Sequence, residues 1–537
     1  MKNKFLYVSV LVALGFAACE PEFENDVDAN YSAGDADFTT FVAVGNSLTA
    51  GYMDGTVYRD GQANSFPNML AEQFSLVGGG AFTQPSFDDD VNNLGGLTLG
   101  GTTLAGTRLV IDASEGRPEN IAGSPSIDIA NISAGARNNM GVPGAKSFHL
   151  LAPGYGNIAG VSAGLANPYY VRFASSPNAS VLGDAMSLNP TFFTCWIGAN
   201  DILSYATSGG ANADGMTPAA DHNSTGNLDP TTYGSNDITN ANVFAATYNL
   251  IINGGTHPLL GSVTGLTSNG AKGVVATIPS VTSIPYFTTV PYNPVPDALL
   301  NADQANAALL TQLYQFLFVA TGGRISPLQL NDGANNSLLI YDADLSDLGA
   351  QITAYASASG NPLLMAYAAQ LGALYGKARS CTNNDLVVLT ASSVIGTENP
   401  AVTAPFNIQG VTLPLANKYV LTSTEKTRVL NATTAYNNAI VSIAASKDLA
   451  VADMNSIMNQ LVSGLRIDTG QLYTADYFSG VASEHQVLFS LDGVHPNSRG
   501  YAVIANAFLN VINSHYNANI PLKFVNDYRG VQIVGSN

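Results

Sequence analysis

The sequence predicts an α/β protein with a parallel sheet, and two patterns carry this prediction. The first is a set of short, near-continuous apolar runs, which are typical of strands covered on both faces of a sheet. The second is a set of longer segments with apolar residues at every third or fourth position, which are typical of helices that connect parallel strands. With 46% hydrophobic residues, the 537-residue chain has ample material for such a core.

Five apolar runs are predicted as strands. Valine, phenylalanine and threonine fill the first run, and Gly45 ends it. The predicted strands are "DFTTFVAV" (37–44), "TFFTCWIG" (191–198), "AKGVVATIPSV" (271–281), "DLVVLTASSVIG" (385–396) and "DLAVADM" (448–454).

Four segments between or after these runs are predicted as helices. The clearest begins where Thr422 and Glu425 have the spacing of a capping box. Its apolar face is formed by Val429, Ala432, Tyr436, Ile440 and Ile443. The four predicted helices lie at 297–320, 362–378, 422–446 and 497–516.

The remaining stretches set the expected domain organisation. One domain is predicted over 37–520, and residues 521–537 are expected to form a C-terminal tail. Glycine, asparagine and serine dominate 207–240, while the stretch at about 290–420 is too long for a single connection and is predicted to be an inserted subdomain. A third insertion is expected at 55–130.

The N-terminus has the features of a bacterial export signal. Two lysines precede an apolar stretch too short to span a bilayer, so residues 1–18 are predicted to be a signal peptide. The ending "GFAAC" resembles a lipoprotein processing site, which implies that Cys19 is lipidated; an ordinary signal peptide with an incidental cysteine is the alternative. Residues 19–36 read as an acidic tether, and "CEPEFENDVD" resembles the signal that sends lipoproteins of the Bacteroidetes to the cell surface. The expected location is the outer membrane, with the periplasmic face as the alternative.

The charge of the chain excludes one class of partner and limits another. Twenty basic residues face 39 acidic ones, giving a formal charge of −19 with no basic run, so nucleic acid is not an expected partner. An acidic surface also repels anionic lipids, so contact with a membrane is expected only through the anchor on Cys19. Cys195 is expected in the core, and whether it pairs with Cys381 stays open. No cysteine spacing indicates a metal site.

Two segments at opposite ends of the chain carry candidate groups for nucleophilic catalysis. Ser47 follows the first predicted strand, where the end of a parallel strand and the start of a helix favour developing negative charge; serine in an ordinary turn is the alternative. A serine needs a base, and "LDGVHPNSRG" places Asp492 three residues before His495. There the carboxylate can fix the imidazole tautomer and leave Nε2 as the base, unless both are merely solvated loop residues.

Two further segments carry candidate N–H donors. In "WIGANDIL", Asn200 follows a predicted strand, and its side-chain amide can serve an oxyanion or simply cap the next helix. In "NNMGVPGAKS", Gly144 allows close approach of the backbone to a substrate or merely forms a tight turn.

In order along the chain, "GNSL", "GVPGAKS", "GAND" and "DGVHP" resemble the four sequence blocks of the SGNH/GDSL hydrolase family. The resemblance implies a three-layer α/β/α sandwich with a flavodoxin-like sheet, no cofactor and no metal. It implies Ser47 as nucleophile, His495 as base and Asp492 as its partner, with an oxyanion hole from Ser47, Gly144 and Asn200. The chain departs from the family in having Asn46 where aspartate is usual, and in its large insertions.

The resemblance therefore predicts a serine esterase at the cell surface, acting on a glycan, lipid or small ester. Deacetylation of a carbohydrate is the preferred reaction, and hydrolysis of lipid esters is the alternative. A binding lipoprotein on an inactive scaffold of the same family is the second class of function.

Overall fold

In the computed structural model, the chain is described over residues 30–300, 304–330, 333–467, 470–480 and 484–535. The predicted signal peptide at 1–18, the lipidation site Cys19 and most of the tether at 19–36 lie outside these ranges and stay predictions. Across the described ranges, no helix combines the length and the hydropathy needed to cross a bilayer.

A five-stranded parallel sheet forms the centre of a mixed α/β protein. In chain order its strands are β1 (Phe41–Gly45), β2 (Asn139–Gly141), β3 (Phe192–Trp196), β4 (Lys272–Ala276) and β5 (Ala450–Ala452). Their order across the sheet is β5-β4-β3-β1-β2, so β1 lies between β3 and β2. Every residue of β1 and β3 is buried, as expected for strands covered on both faces.

Four of the five predicted strands are confirmed, and the fifth is wrong. Within 385–396 only Leu386–Val387 is extended, and it pairs antiparallel with Val420–Leu421 outside the central sheet. Its apolar side chains are buried against the main core, so the run reflects burial rather than a place in the sheet. The prediction also missed β2, because its residues Asn139–Gly141 include no β-branched or aromatic side chain.

Helices follow the strands and pack in two groups. In chain order they are α1 (Ser47–Ala50), α2 (Phe66–Ser75), α3 (Asn200–Thr207), α4 (Ala241–Asn253), α5 (Ser423–Ala445), α6 (Met454–Ser463) and α7 (Ser498–His515). Helix α7 packs against α2, whereas α5 packs against α3 and α4. Both α5 and α7 also contact β4 and β5.

The capping box predicted for α5 is confirmed. Thr422 accepts from the backbone of Glu425, and the Glu425 carboxylate accepts from the Thr422 N–H at 2.8 Å. The buried face of the helix contains four of the five predicted residues, with Ala444 in place of Ile443. Within the helix predicted at 297–320, Asp297–Leu300 and Gln304–Ala320 are helical, and residues 301–303 lie outside the described ranges. The helix predicted at 362–378 is divided in two at Tyr367.

The insertions carry small elements and cores of their own. A separate hydrophobic cluster forms inside the stretch at 290–420, around Leu317, Leu371 and Tyr375. Near the end of the chain, Ile533–Val534 pairs with Leu109–Asp112 in the 55–130 insertion.

The further helices of the described chain, including 3-10 turns, are Arg59–Ala63, Ser147–Leu151, Ile158–Ala163, Pro168–Val171, Val181–Ser187, His222–Thr225, Pro230–Thr232, Val281–Ser283, Pro285–Thr288, Asp297–Leu300, Gln304–Ala320, Gly349–Ser357, Pro362–Ala366, Ala368–Tyr375, Leu389–Ser393, Asn417–Tyr419 and Val525–Asp527. The further strands are Leu97–Leu99, Thr102–Ala105, Leu109–Asp112, Arg117–Asn120, Gly255–His257, Gly261–Val263, Val295–Pro296, Asn335–Asn336, Leu339–Tyr341, Ala378–Ser380, Leu386–Val387, Val420–Leu421, Leu465–Arg466, Leu472–Tyr473 and Ile533–Val534.

The two cysteines of the described chain do not pair. Cys195 and Cys381 are both buried free thiols. Burial raises the pKa of each thiol to about 12, so neither is a reactive thiolate at neutral pH. The expectation that Cys195 lies in the core is confirmed.

Candidate active site

Three loops that carry candidate residues leave the same edge of the sheet. Ser47 follows β1, Gly144 follows β2 and Asn200 follows β3, each at the carboxyl end of its strand. Because β1 pairs in parallel with both β2 and β3, these ends lie side by side, with Ser47 in the middle. The carboxyl ends of strands in an open parallel sheet are where ligands bind.

Ser47 is the first residue of the four-residue helix α1, and it is buried. The preceding Asn46 caps this helix, since its side-chain oxygen accepts from the Leu48 N–H at 3.1 Å. The N–H groups in the first turn of a helix have no partner inside the helix, and the Ser47 N–H has no acceptor among the described residues. Asn46 therefore caps the start of this helix, as an aspartate at the same position can.

A continuous hydrogen-bond chain joins Ser47, His495 and Asp492. The Ser47 hydroxyl lies 2.8 Å from Nε2 of His495, and Nδ1 of the same ring lies 2.8 Å from Oδ2 of Asp492. An ionised carboxylate only accepts, so Nδ1 carries the proton and donates to Asp492. In the neutral ring, Nε2 is then the acceptor of the Ser47 proton. The three predicted catalytic residues are thus in contact, although Ser47 is 448 positions from His495.

Asp492 is held as a carboxylate by four donors besides the imidazole. Oδ1 accepts from the Ser490 hydroxyl at 3.0 Å and from the N–H groups of Val494 and His495 at 2.9 and 2.8 Å, while Oδ2 accepts from Gly55 N–H at 3.2 Å. Burial alone would raise the pKa of Asp492, but the imidazole and these hydrogen bonds outweigh it and the pKa lies below its ordinary value. Asp492 therefore remains ionised at neutral pH.

A second buried carboxylate, Asp54, supports this loop and was not predicted from the sequence. It accepts from the Leu491 N–H at 3.0 Å and from the Tyr58 hydroxyl at 2.8 Å, and its own N–H donates to Ser490 at 3.0 Å. Burial, opposed by these hydrogen bonds and reinforced by the charge of Asp492, raises the pKa of Asp54 to about 6. Asp54 thus fixes the backbone on which Asp492 stands. In the sequence, Asp54 and Gly55 form only an isolated "DG" pair, a pattern that does not indicate this role.

Asn200 does not cap its helix. It is the first residue of α3, and the capping position belongs to Ala199, which makes no side-chain cap. The Asn200 amide instead donates one N–H to the carbonyl of Ala145 at 2.9 Å, next to Gly144. The second N–H has no acceptor in the described chain, and Asn200 lines the same cavity as Ser47 and His495.

Gly144 is an exposed residue in the loop after β2, with φ of +79°. This left-handed conformation is strained for most residues with a Cβ, so it favours glycine here. Its N–H finds no acceptor within the described ranges. Gly144 itself is not among the residues that line the cavity beside Ser47.

A second histidine–aspartate pair lies in the insertion at 207–240. Nε2 of His222 lies 2.8 Å from Asp237, and Nδ1 lies 3.0 Å from the hydroxyl of Thr225. The ring is buried and stacks on Tyr233, with centroids 3.8 Å apart. Both ring nitrogens are occupied by neighbours from the same insertion, so this pair holds the insertion together.

The site thus combines a serine–histidine–aspartate chain with the N–H groups of Ser47 and Asn200, which have no acceptor among the described residues. In the part of the chain that the structure describes, no group of three or more His, Cys, Asp or Glu side chains could hold a metal ion. The geometry suits transfer of a proton from an attacking hydroxyl to an imidazole, with donors nearby for the negative charge that develops. Comparison with protein-family models, with curated proteins and with solved structures found no match for this chain.

Proposed function

We propose that this protein is a serine ester hydrolase of the SGNH/GDSL type. The observation that carries the proposal is the pair of 2.8 Å contacts that link the Ser47 hydroxyl through His495 to Asp492. The sheet supports the same family, because its order, read from the other edge, is 2-1-3-4-5, the flavodoxin-like order. The two helix groups that contact β4 and β5 fit a three-layer sandwich.

The reaction begins with the Ser47 oxygen attacking the carbonyl carbon of the ester, while its proton passes to Nε2 of His495. Asp492 stabilises the imidazolium that forms. The carbon–oxygen bond to the alcohol then breaks, and His495 gives its proton to the leaving oxygen, which departs as the alcohol. This leaves an acyl group on Ser47.

Water completes the cycle. It attacks the acyl carbon and gives a proton to Nε2 of His495, and collapse of the second tetrahedral intermediate returns that proton to Ser47. The acid is released and the enzyme is restored. In both intermediates the carbonyl oxygen is an anion, and the free N–H groups of Ser47, Gly144 and Asn200 are the donors that stabilise it.

A fluorophosphonate probe tests the nucleophile directly, because it reacts with an activated serine without any need for the natural substrate. We expect covalent labelling at Ser47, located by mass spectrometry of the modified peptide. The Ser47→Ala variant should take up no label, whereas a control at an exposed serine, Ser392→Ala, should label like the wild type. A folded wild-type protein that does not label would instead support a binding protein on an inactive scaffold.

Removing the amide of Asn200 tests the oxyanion hole. In Asn200→Ala we expect kcat to fall about 10²-fold with little change in KM, because the amide acts mainly on the anion of the transition state. The measurement is steady-state hydrolysis of p-nitrophenyl butyrate. Asn242→Ala, at an exposed position on α4, is the matched control and should keep its kcat. An unchanged kcat in a folded Asn200→Ala protein would reduce Asn200 to a structural contact with Ala145.

A further inference from the structure

An apolar cavity opens beside the Ser47–His495 pair. The space between its walls is about 860 Å³ when the part open to solvent is included. Of the 23 lining residues that the structure describes, only Asn46, Ser47, Asn200 and His495 carry amide, hydroxyl or imidazole side chains, and none is an acid, a lysine or an arginine. These four polar side chains lie at the catalytic end of the cavity.

Most of the remaining wall comes from elements outside the four motif segments. Helix α6 supplies Met454, Met458 and Leu461, all buried. The segment after β4 supplies Val281 and Ile284, and α7 contributes two further aliphatic residues. Unbranched methionines adapt to ligands of different shape, which suits a flexible chain better than a rigid ring.

The polar capacity of this wall is small. Apart from those four residues, Trp196 is the one described lining residue whose side chain has a polar group, and its indole N–H already donates to the carbonyl of Thr277 at 3.1 Å. A sugar placed here would lose hydrogen bonds to water without replacement, which costs free energy for each hydroxyl. A hydrocarbon chain has no hydrogen bonds to water to lose, and its burial in an apolar cavity is favourable in free energy.

Resting on the proposed esterase function, we propose that the substrate is an ester with a flexible hydrocarbon chain, seated in this cavity between α6 and α7. The chain belongs to either the acyl or the alcohol part of the ester, and both fit the same wall. This proposal replaces the preference for an acetylated carbohydrate. An acetyl group would leave most of the cavity empty, and the apolar wall offers the hydroxyl groups of a sugar no hydrogen-bond partners.

The test compares two ester series with the wild-type protein. In the first, the acyl chain of p-nitrophenyl esters grows from acetate to octanoate; in the second, the alcohol of alkyl acetates grows from ethyl to octyl. We expect kcat/KM to rise about fourfold for each added methylene in one series until the cavity is full. The series that rises identifies which part of the ester occupies the cavity.

A variant that fills the cavity checks the location. Met458→Trp should shift the optimum to shorter chains. In the series that rises, it should lower the ratio of kcat/KM for the eight-carbon chain to kcat/KM for the two-carbon chain at least tenfold. The matched control, Met365→Trp, changes a half-exposed methionine in the insertion at 290–420 and should leave the chain-length profile as in the wild type.

The outcomes separate this inference from the proposed function. Labelling at Ser47 together with a flat profile in both series, or with faster turnover of an acetylated oligosaccharide than of octanoate esters, would overturn the hydrocarbon chain and leave the esterase standing. Absence of labelling and of all ester hydrolysis would overturn both. A rising profile that Met458→Trp shortens and Met365→Trp does not would establish the cavity as the chain site.

Discussion

Replacing Ser47 with alanine is expected to lower kcat for ester hydrolysis by about 10⁴- to 10⁶-fold. In the proposed mechanism the hydroxyl at 2.8 Å from Nε2 of His495 forms the bond to the acyl carbon, and no other hydroxyl contacts that nitrogen in the described chain. His495→Ala should cost about as much, since an alcohol without a base is a weak nucleophile. The double variant should be no worse than either single one, because the two residues act as a unit.

Initial rates with p-nitrophenyl butyrate, per mole of folded protein, measure this effect. His485→Ala is the control, because that ring is 79% exposed and lies next to Glu484 rather than in the site. It should keep wild-type activity. If Ser47→Ala retained more than about a tenth of wild-type kcat, a nucleophile other than Ser47 would have to be sought.

The second large effect is expected from Asp492→Asn, with a fall in kcat of about 10⁴-fold. Oδ1 of Asp492 accepts three hydrogen bonds, so an asparagine must keep its carbonyl oxygen on that side. Its NH₂ group then faces Nδ1 of His495, at the place where the carboxylate accepted. The ring responds by carrying its proton on Nε2, which can no longer accept the proton of Ser47.

Steady-state kinetics and thermal unfolding together check this prediction. Asp237→Asn changes the other histidine-paired aspartate and is the matched control, with kcat per folded molecule expected to stay near wild type. Full activity in Asp492→Asn would mean that the tautomer of His495 is set by something other than this carboxylate. The depressed pKa of Asp492 also keeps the interaction present at neutral pH, and it is lost only as the pH falls through that lowered pKa.

The residues of the candidate triad could be predicted because each sits in a short local pattern. Gly45 ends a run of buried residues, and Asp492 and His495 have a spacing that one tight loop can satisfy. The sequence also revealed the strands that are long and fully buried, such as β1 and β3. These features depend on neighbours within a few positions, which is the range over which sequence patterns carry information.

The misses depend on contacts between distant parts of the chain. Asp54 owes its role to Leu491, 437 positions away, and nothing near Asp54 announces that contact. β2 is extended because β1 pairs with it, not because its three residues favour a strand. At 385–396 the sequence predicted a strand of the central sheet that the structure does not have, because any segment buried against a core is apolar whether or not it joins the sheet. The apolar cavity was likewise hidden, because α6 and α7 come together only in the fold.

The separation of 448 positions between base and nucleophile has a consequence for biosynthesis. A growing polypeptide presents its serine early, yet that alcohol stays unreactive until residues beyond 490 have been made and have folded back onto the first strand. Premature termination anywhere upstream therefore yields a product whose serine has no base beside it, however well its beginning folds. On the proposed function, the serine becomes reactive only when the chain itself is complete.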